Sequence, residues 1–168
     1  MESKKRDITM MYTHLPVLFR VADISEGPIL EMGTGYFSTL VLNWISQLTG
    51  REVISYESNK SWYEKAKKYE RGNHKVIFVK SFDEAPIEDR HWGMVFIDQG
   101  PNGRRHVDVI RLAKANNADY IIMHDTEERH DNQYHYSKIW DLFKYRYDHT
   151  KYVAHTSVVS NLKDLSNL

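Results

Sequence analysis

The sequence predicts an α/β domain in three layers: a mostly parallel sheet between helices, closed by a C-terminal antiparallel hairpin. Three observations carry this. From Gly27 onward, short apolar runs alternate with amphipathic stretches, the sequence sign of β-α-β units. The first run ends in Gly33-Thr34-Gly35 and passes directly into a helical pattern. The last two β-like runs, Tyr145 to Asp148 and Tyr152 to Val159, are too close together for a crossover helix, so they should pair antiparallel.

The elements follow in order. Before Gly27, Met11, Leu15, Val17, Leu18, Phe19 and Val21 suggest a leading helix started or kinked near Pro16. It would cover one sheet face or act as a lid, with Tyr12 or His14 reaching in. Ile29 to Met32 is the first strand, too short for a helix. Phe37, Leu40, Val41, Trp44, Ile45 and Leu48 recur at helical spacing, and Gly50 ends that helix. Val53 to Tyr56 is the second strand, and Ser61 with Glu64 fits a capping box opening a helix that carries Trp62, Ala66 and Tyr69. Val76 to Val79 and Met94 to Ile97 are the third and fourth strands, with a very short helix or none between them. Val107, Ile110 and Ala113 mark another helix, and Tyr120 to Met123 the fifth strand. A helix with Tyr136, Ile139, Trp140 and Phe143 precedes the hairpin.

Composition bounds the function. The 168 residues are enough to bury a core, and one domain is expected over 1–168, with 1–26 as its helical cover. No run approaches the roughly 18 apolar residues of a membrane span. Lys+Arg and Asp+Glu both total 23, so no overall positive field draws nucleic acid, and such a partner is disfavoured. With no cysteine there is no disulfide framework, thiolate metal site or Cys nucleophile. The charged start, Met1 to Asp7, leads into no apolar signal segment, so the cytoplasm is the expected location. No compact zinc spacing occurs among the nine histidines.

The glycine loop selects the ligand class. A strand that ends in Gly-x-Gly and enters a helix offers free N–H groups and a positive dipole end. Glu57 ends the second strand 22 residues after Gly35, near the roughly 20-residue spacing at which an acid meets ribose hydroxyls. An adenosine-type ligand follows. Ser38 stands where a dinucleotide fingerprint has its third Gly or Ala, and Glu31 is an acid inside the strand before the loop.

Ile29-Leu30-Glu31-Met32-Gly33-Thr34-Gly35 resembles the first motif of the Rossmann-like class I S-adenosylmethionine-dependent methyltransferases. Tyr36-Phe37-Ser38-Thr39-Leu40 resembles a subgroup with Gly-x-Gly-Tyr-Ser-Thr loops, with Phe37 intervening. Tyr56-Glu57 with Trp62 to Ala66, Phe96 to Pro101 with Arg104, and Ile121 to Thr126 are similar to later segments of the same subgroup, so the likeness spans Gly27 to Asn161. It implies S-adenosylmethionine as cofactor. It also implies that Glu31, Gly33, Thr34, Gly35 and Ser38 hold the methionine end, Glu57 the ribose, and Ser81 and Phe82 the adenine.

Asp98 and Asp125 end neighbouring strands in the crevice where open α/β sheets bind ligands. The resemblance to catechol-type O-methyltransferases makes them candidate Mg²⁺ ligands, with Thr126 where that group has a third ligand and Glu127 or Glu128 as its replacement. Without a metal, His124 or His130 is the candidate general base. Arg104 and Arg105 are candidates for an anionic acceptor or the cofactor carboxylate. The fourth strand ends Asp98-Gln99-Gly100-Pro101, not in an Asn/Asp-Pro-Pro-aromatic motif, so oxygen is the expected acceptor atom. The acceptor is an unidentified small molecule or an exposed group on a larger one, and a second copy of the chain is one way to close so small a site. The competing readings are a non-catalytic cofactor-binding module and an NAD-dependent oxidoreductase.

Overall fold

A computed structural model describes residues 8–168. Its seven strands are β1 (Ile29–Met32), β2 (Val53–Glu57), β3 (His74–Phe78), β4 (Trp92–Ile97), β5 (Ala118–His124), β6 (Tyr145–His149) and β7 (Thr156–Ser160). They form one sheet in the order β3-β2-β1-β4-β5-β7-β6. The first five are parallel, and β7 inserts antiparallel between β5 and β6. The expected hairpin is therefore present, with its second strand against the sheet.

Alternation along the strands builds two cores, one per face. Leu30, Met32, Val95, Ile97, Ile121 and Met123 face one way, toward Val109 and Leu112 of α4 (Arg105–Ala115). Ile29, Met94, Phe96 and Ile122 face the other, toward α1 (Leu15–Ile24) and α2 (Ser38–Thr49). In α1, Pro16 stands in the first turn, where its missing N–H costs nothing. Val17, Leu18 and Val21 of α1 are buried against the sheet, as a helical cover requires.

Three local expectations are corrected. The helix after β2, α3 (Lys60–Ala66), is capped by Asn59, whose side chain accepts from the N–H groups of Ser61 and Trp62, so Ser61 and Glu64 form no capping box. In α2 the buried face runs through Ser38, Thr39, Val41, Leu42, Ile45 and Ser46, while Trp44 and Leu48 are exposed. Hydrophobic spacing missed this face because three hydroxyl residues lie on it with internal hydrogen-bond partners. Tyr136 to Phe143 is not an α-helix: a short α5 (Asp131–Tyr134) is followed by 3₁₀ turns at Tyr136–Lys138 and Trp140–Leu142. Between β3 and β4 there is only the 3₁₀ turn Phe82–Glu84.

Gly93 shows how closely the layers meet: a Cβ there would lie 1.5 Å from the Glu26 carbonyl oxygen. Gly93→Ala should therefore lower the unfolding free energy by about 3 kcal/mol, at the upper end of ordinary overpacking. Urea denaturation measures this, and a loss under about 1 kcal/mol would mean that the segment before β1 yields freely.

Candidate active site

Register places the site. Met32 is level with Tyr56 and Ile97, and Ile97 with Met123, so the next residue on each strand lies in one row: Gly33, Glu57, Asp98 and His124. Two backbone bonds hold it, from Gly33 N–H to Tyr56 O and from Asp98 N–H to Met32 O, both 2.9 Å. The row crosses the point between β1 and β4 where the strand order reverses, which opens a crevice at the carboxyl ends. A cleft of about 750 Å³ lies there, within the usual range for small-molecule sites. Gly33, Thr34, Gly35, Ser38, Glu57, Asp98, His124 and Asp125 all line it.

The loop is fixed from beneath. Gly33 has φ +86°, and a Cβ on it would lie 2.3 Å from the Gln99 Cα, so only glycine lets the two loops touch. Glu31 is fully buried and does not line the cleft; it supports the loop instead. Its carboxylate accepts from Thr39 Oγ1 (3.0 Å) and Ser55 Oγ (2.5 Å), and Thr39 Oγ1 in turn accepts from Gly35 N–H (2.9 Å). Burial pushes the Glu31 pKa up to about 7, against the pull of hydrogen bonds from Ser55, Ser38 and Thr39. Glu57 faces the cleft. It accepts from Thr34 N–H (2.8 Å) and Thr34 Oγ1 (3.0 Å) on one oxygen, and from Ser58 and Asn59 N–H (2.8 and 2.7 Å) on the other.

At the other end of the row, Arg105 bridges the two aspartates. Its guanidinium lies 2.7 Å from Asp98 Oδ1 and 3.0 Å from Asp125 Oδ2, donates to Gln99 O and His124 O, and stacks on Tyr134. Asp125 reaches it from a left-handed backbone conformation, φ +58°. Burial disfavours the Asp98 carboxylate, but Arg105 and His124 outweigh it and hold the group well below the ordinary carboxylate range.

His124 is gripped on both sides. Thr13 Oγ1 lies 3.0 Å from His124 Nε2 and 3.4 Å from Met10 O, so the ring is held on its Nε2 side by the segment before α1. Nδ1 faces Asp98 Oδ1 at 3.5 Å and Asp125 Oδ2 at 3.8 Å. Burial disfavours its imidazolium, yet the two carboxylates outweigh burial and raise its pKa above the ordinary histidine value. His14, which also lines the cleft, is held near pKa 3 by burial and by repulsion from His124.

Several expectations change here. The Mg²⁺ site at Asp98 and Asp125 is corrected: a guanidinium fills the space between the carboxylates, so the residues do not fit a divalent cation. Phe82 belongs to the core and Ser81 caps the turn at Phe82–Glu84, so neither lines the cleft. The aromatic lining comes instead from Tyr36, Phe37 and Trp62. His130 is not at the row; its ring lies 3.7 Å from Glu127. Arg104 binds the buried Asp108 rather than the cleft, and Asp108 also accepts from Gln99 Nε2 (2.7 Å), fixing the loop after β4. Sequence reasoning missed Thr13, Thr39, Gln99 and Asp108. Only Thr39, four residues after Gly35 at the helix start, carried a usable signal.

The sequence matches no protein-family model and no curated protein. Solved structures do match. The chain is similar to the methyltransferase PaMTH1 of Podospora anserina bound to S-adenosylhomocysteine, with TM-score 0.65 and 16% identity over 96% of this chain and 83% of that one. It is also similar to the O-methyltransferase TomG from Streptomyces achromogenes in complex with S-adenosylmethionine, with TM-score 0.63 and 12% identity over 96% and 92% of the two chains. The chain has the class I methyltransferase fold. The methyltransferase domain of METTL16 shares that fold, with TM-score 0.62 and 14% identity over 89% and 82%. Among the described residues, no helix of this methyltransferase fold is long and apolar enough to cross a membrane.

Glu31 makes stability depend on pH in a calculable direction. Its pKa rises from 4.5 to about 7 on folding, so between those values the folded chain keeps a proton that the unfolded chain loses. Its stabilisation is complete below pH 4.5 and is lost as pH rises through about 7. Wild type should lose about 3 kcal/mol relative to Glu31→Gln across that window, read from paired urea titrations. Parallel pH profiles would show that Glu31 is charged throughout.

Proposed function

We propose that the chain binds S-adenosylmethionine in the cleft and methylates a hydroxyl group of an acceptor, with His124 as the general base. The observation that carries this is His124 Nδ1, which faces Asp98 at the same strand-end row as the glycine loop and Glu57.

The residues present fit the cofactor. Gly33 to Gly35 would pass along its methionine portion, and α2 begins at Ser38 with no side-chain cap, leaving first-turn N–H groups for a carboxylate. Glu57 would take the ribose, with the Thr34 hydroxyl yielding its place on the shared oxygen. Trp62 and Tyr36, in edge-to-face contact at 4.8 Å, offer an aromatic wall for the adenine. When bound, the cofactor supplies a methyl group on a positively charged sulfur.

His124 performs the proton step. In the tautomer that donates Nε2–H to Thr13, the neutral imidazole would present its lone pair at Nδ1. An acceptor hydroxyl beside Asp98 would give its proton to that atom as its oxygen is methylated. Asp98 and Asp125 then hold the imidazolium. Arg105 keeps the Asp98 carboxylate ionised for this task.

S-adenosylhomocysteine should bind one to one by calorimetry, and Glu57→Ala should weaken it at least about 10-fold, the loss of one or more hydrogen bonds to a charged group. Binding of NAD⁺ with none of S-adenosylhomocysteine would overturn the reading. In turnover assays with a panel of hydroxyl acceptors, His124→Ala should cost about 10² to 10⁴ in kcat, the usual share of a general base. The rate should rise with pH, with a midpoint above 6.5, because the carboxylates hold the proton on His124. Asp98→Asn should move that midpoint down, and EDTA should leave the rate unchanged. A rate abolished by EDTA and restored by Mg²⁺ would contradict the role given to Arg105.

A further inference from the structure

A second cavity of about 550 Å³ lies beyond the end of β5, lined by the segment Thr126 to Glu128, the turns around Tyr136 and Trp140, and the hairpin. Its charge is one-sided. Glu127, Glu128, Asp131 and Asp148 line it against a single guanidinium, that of Arg146. Most of these charges already have partners. Asp131 accepts from Ser137 N–H (2.7 Å) and Ser137 Oγ (2.6 Å), and Asp148 accepts from Ser157 Oγ (2.6 Å) and Arg146 Nε (2.9 Å).

Glu127 differs. Its side chain is only 6% exposed, and its Oε2 atom is buried with no hydrogen-bond partner. The nearest nitrogen groups serve it poorly: His130 Nδ1 is 3.7 Å from Oε2, and Arg129, which is largely exposed, reaches only Oε1, at 3.5 Å. A buried carboxylate oxygen left without a donor is costly, and native structures keep such groups where a ligand completes them. The cavity already shows which chemistry it accepts. Arg146 lies over the Trp140 ring at 3.6 Å and bonds Asp148, so one organic cation of the protein is held here by an aromatic face and a carboxylate.

We propose that this cavity binds an organic cation, an alkylammonium or guanidinium group, through Glu127. If the methyltransferase reading above holds, that cation belongs to the methyl acceptor. Asp125, at the catalytic row, and Glu127 are two residues apart, at most about 7 Å along the chain. Asp125 lines the cleft and Thr126 and Glu127 the second cavity, so a molecule with its cation on Glu127 would extend along this segment toward His124. The acceptor class is an amino or guanidino alcohol, either free or as a side chain of a larger molecule.

The test reads binding, not turnover. The full chain is titrated with n-butylammonium, n-butylguanidinium and an N-acetyl-lysine amide while backbone NMR shifts and Trp140 fluorescence are followed, with n-butanol as the uncharged control. At least one cation should shift Thr126 to Glu128 and Trp140, the alcohol should not, and Glu127→Gln should weaken binding at least about 10-fold, the loss of a charge-assisted hydrogen bond. Tighter binding of the free amine points to a small acceptor, and tighter binding of the blocked lysine to a side chain. S-adenosylhomocysteine affinity, measured on the same Glu127→Gln sample, should match wild type, which confirms folding and separates this site from the cofactor cleft. Failure of all three cations to bind, or equal binding by Glu127→Gln, overturns the proposal. Loss of S-adenosylhomocysteine binding by the wild type would overturn the functional reading and leave the cation site standing.

Discussion

Arg105 is the interaction on which the rest of the site depends. Its guanidinium joins two aspartates from neighbouring strands and two backbone carbonyls, so the ends of β4 and β5 and the start of α4 are held by one side chain. A buried arginine is tolerable only when its donors are met, and here carboxylates, carbonyls and the Tyr134 face meet them. The charges also close. With His124 protonated, two carboxylates stand against two cations, and the cluster is neutral in a setting where an uncompensated charge would be expensive. The guanidinium that fills the space between the aspartates works against the His124 imidazolium, and the two carboxylates outweigh it.

A second buried acid acts at the other end of the row, by different physics. Glu31 has no cation near it; hydroxyl donors surround it, and the line from His74 through Ser55 to Glu31 and Thr39 ends on the Gly35 N–H. The carboxylate thus orders the loop without touching the cleft. Its raised pKa and the depressed pKa of Asp98 belong to two acids in one sheet, separated by whether an arginine is within reach.

How much of this was legible follows from what a sequence encodes. The succession of strands, the glycine loop and the hairpin could be read because apolar runs, glycine and short spacings are local signals. Glu57, Asp98 and Asp125 could be placed because strand ends fall where the runs stop. Arg105 could not be assigned: nothing local distinguishes it from Arg104, and only α4 packing against the sheet decides which of the two turns inward and which meets Asp108. Phe82 was misread for the same reason, since a strand-end aromatic faces ligand or core according to a turn that the sequence leaves open. The polar face of α2 was hidden because Ser38, Thr39 and Ser46 are polar residues buried on it, with Thr39 bonded to Glu31 of β1 and Ser46 to the Arg51 carbonyl beyond the helix end. Asn59 outcompeted Ser61 as a cap because its side chain reaches two free N–H groups at once.

Contacts with His124 tie the N-terminal segment to the strand-end row. Thr13, just before α1, meets Nε2 at 3.0 Å, while the carboxylates after β4 and β5 face Nδ1. The two sides are supplied by segments more than 80 residues apart in the chain. His14, one residue further, presses its ring against both His124 and Phe96, with centroids 4.8 Å away, and in its neutral form adds bulk without competing for the proton. A cover helix that served only to shield the sheet would need neither contact. Docking of α1 instead sets His14 against His124, and with Met10 and Met11 it makes the N-terminal segment one wall of the cleft as well as a cover for the sheet.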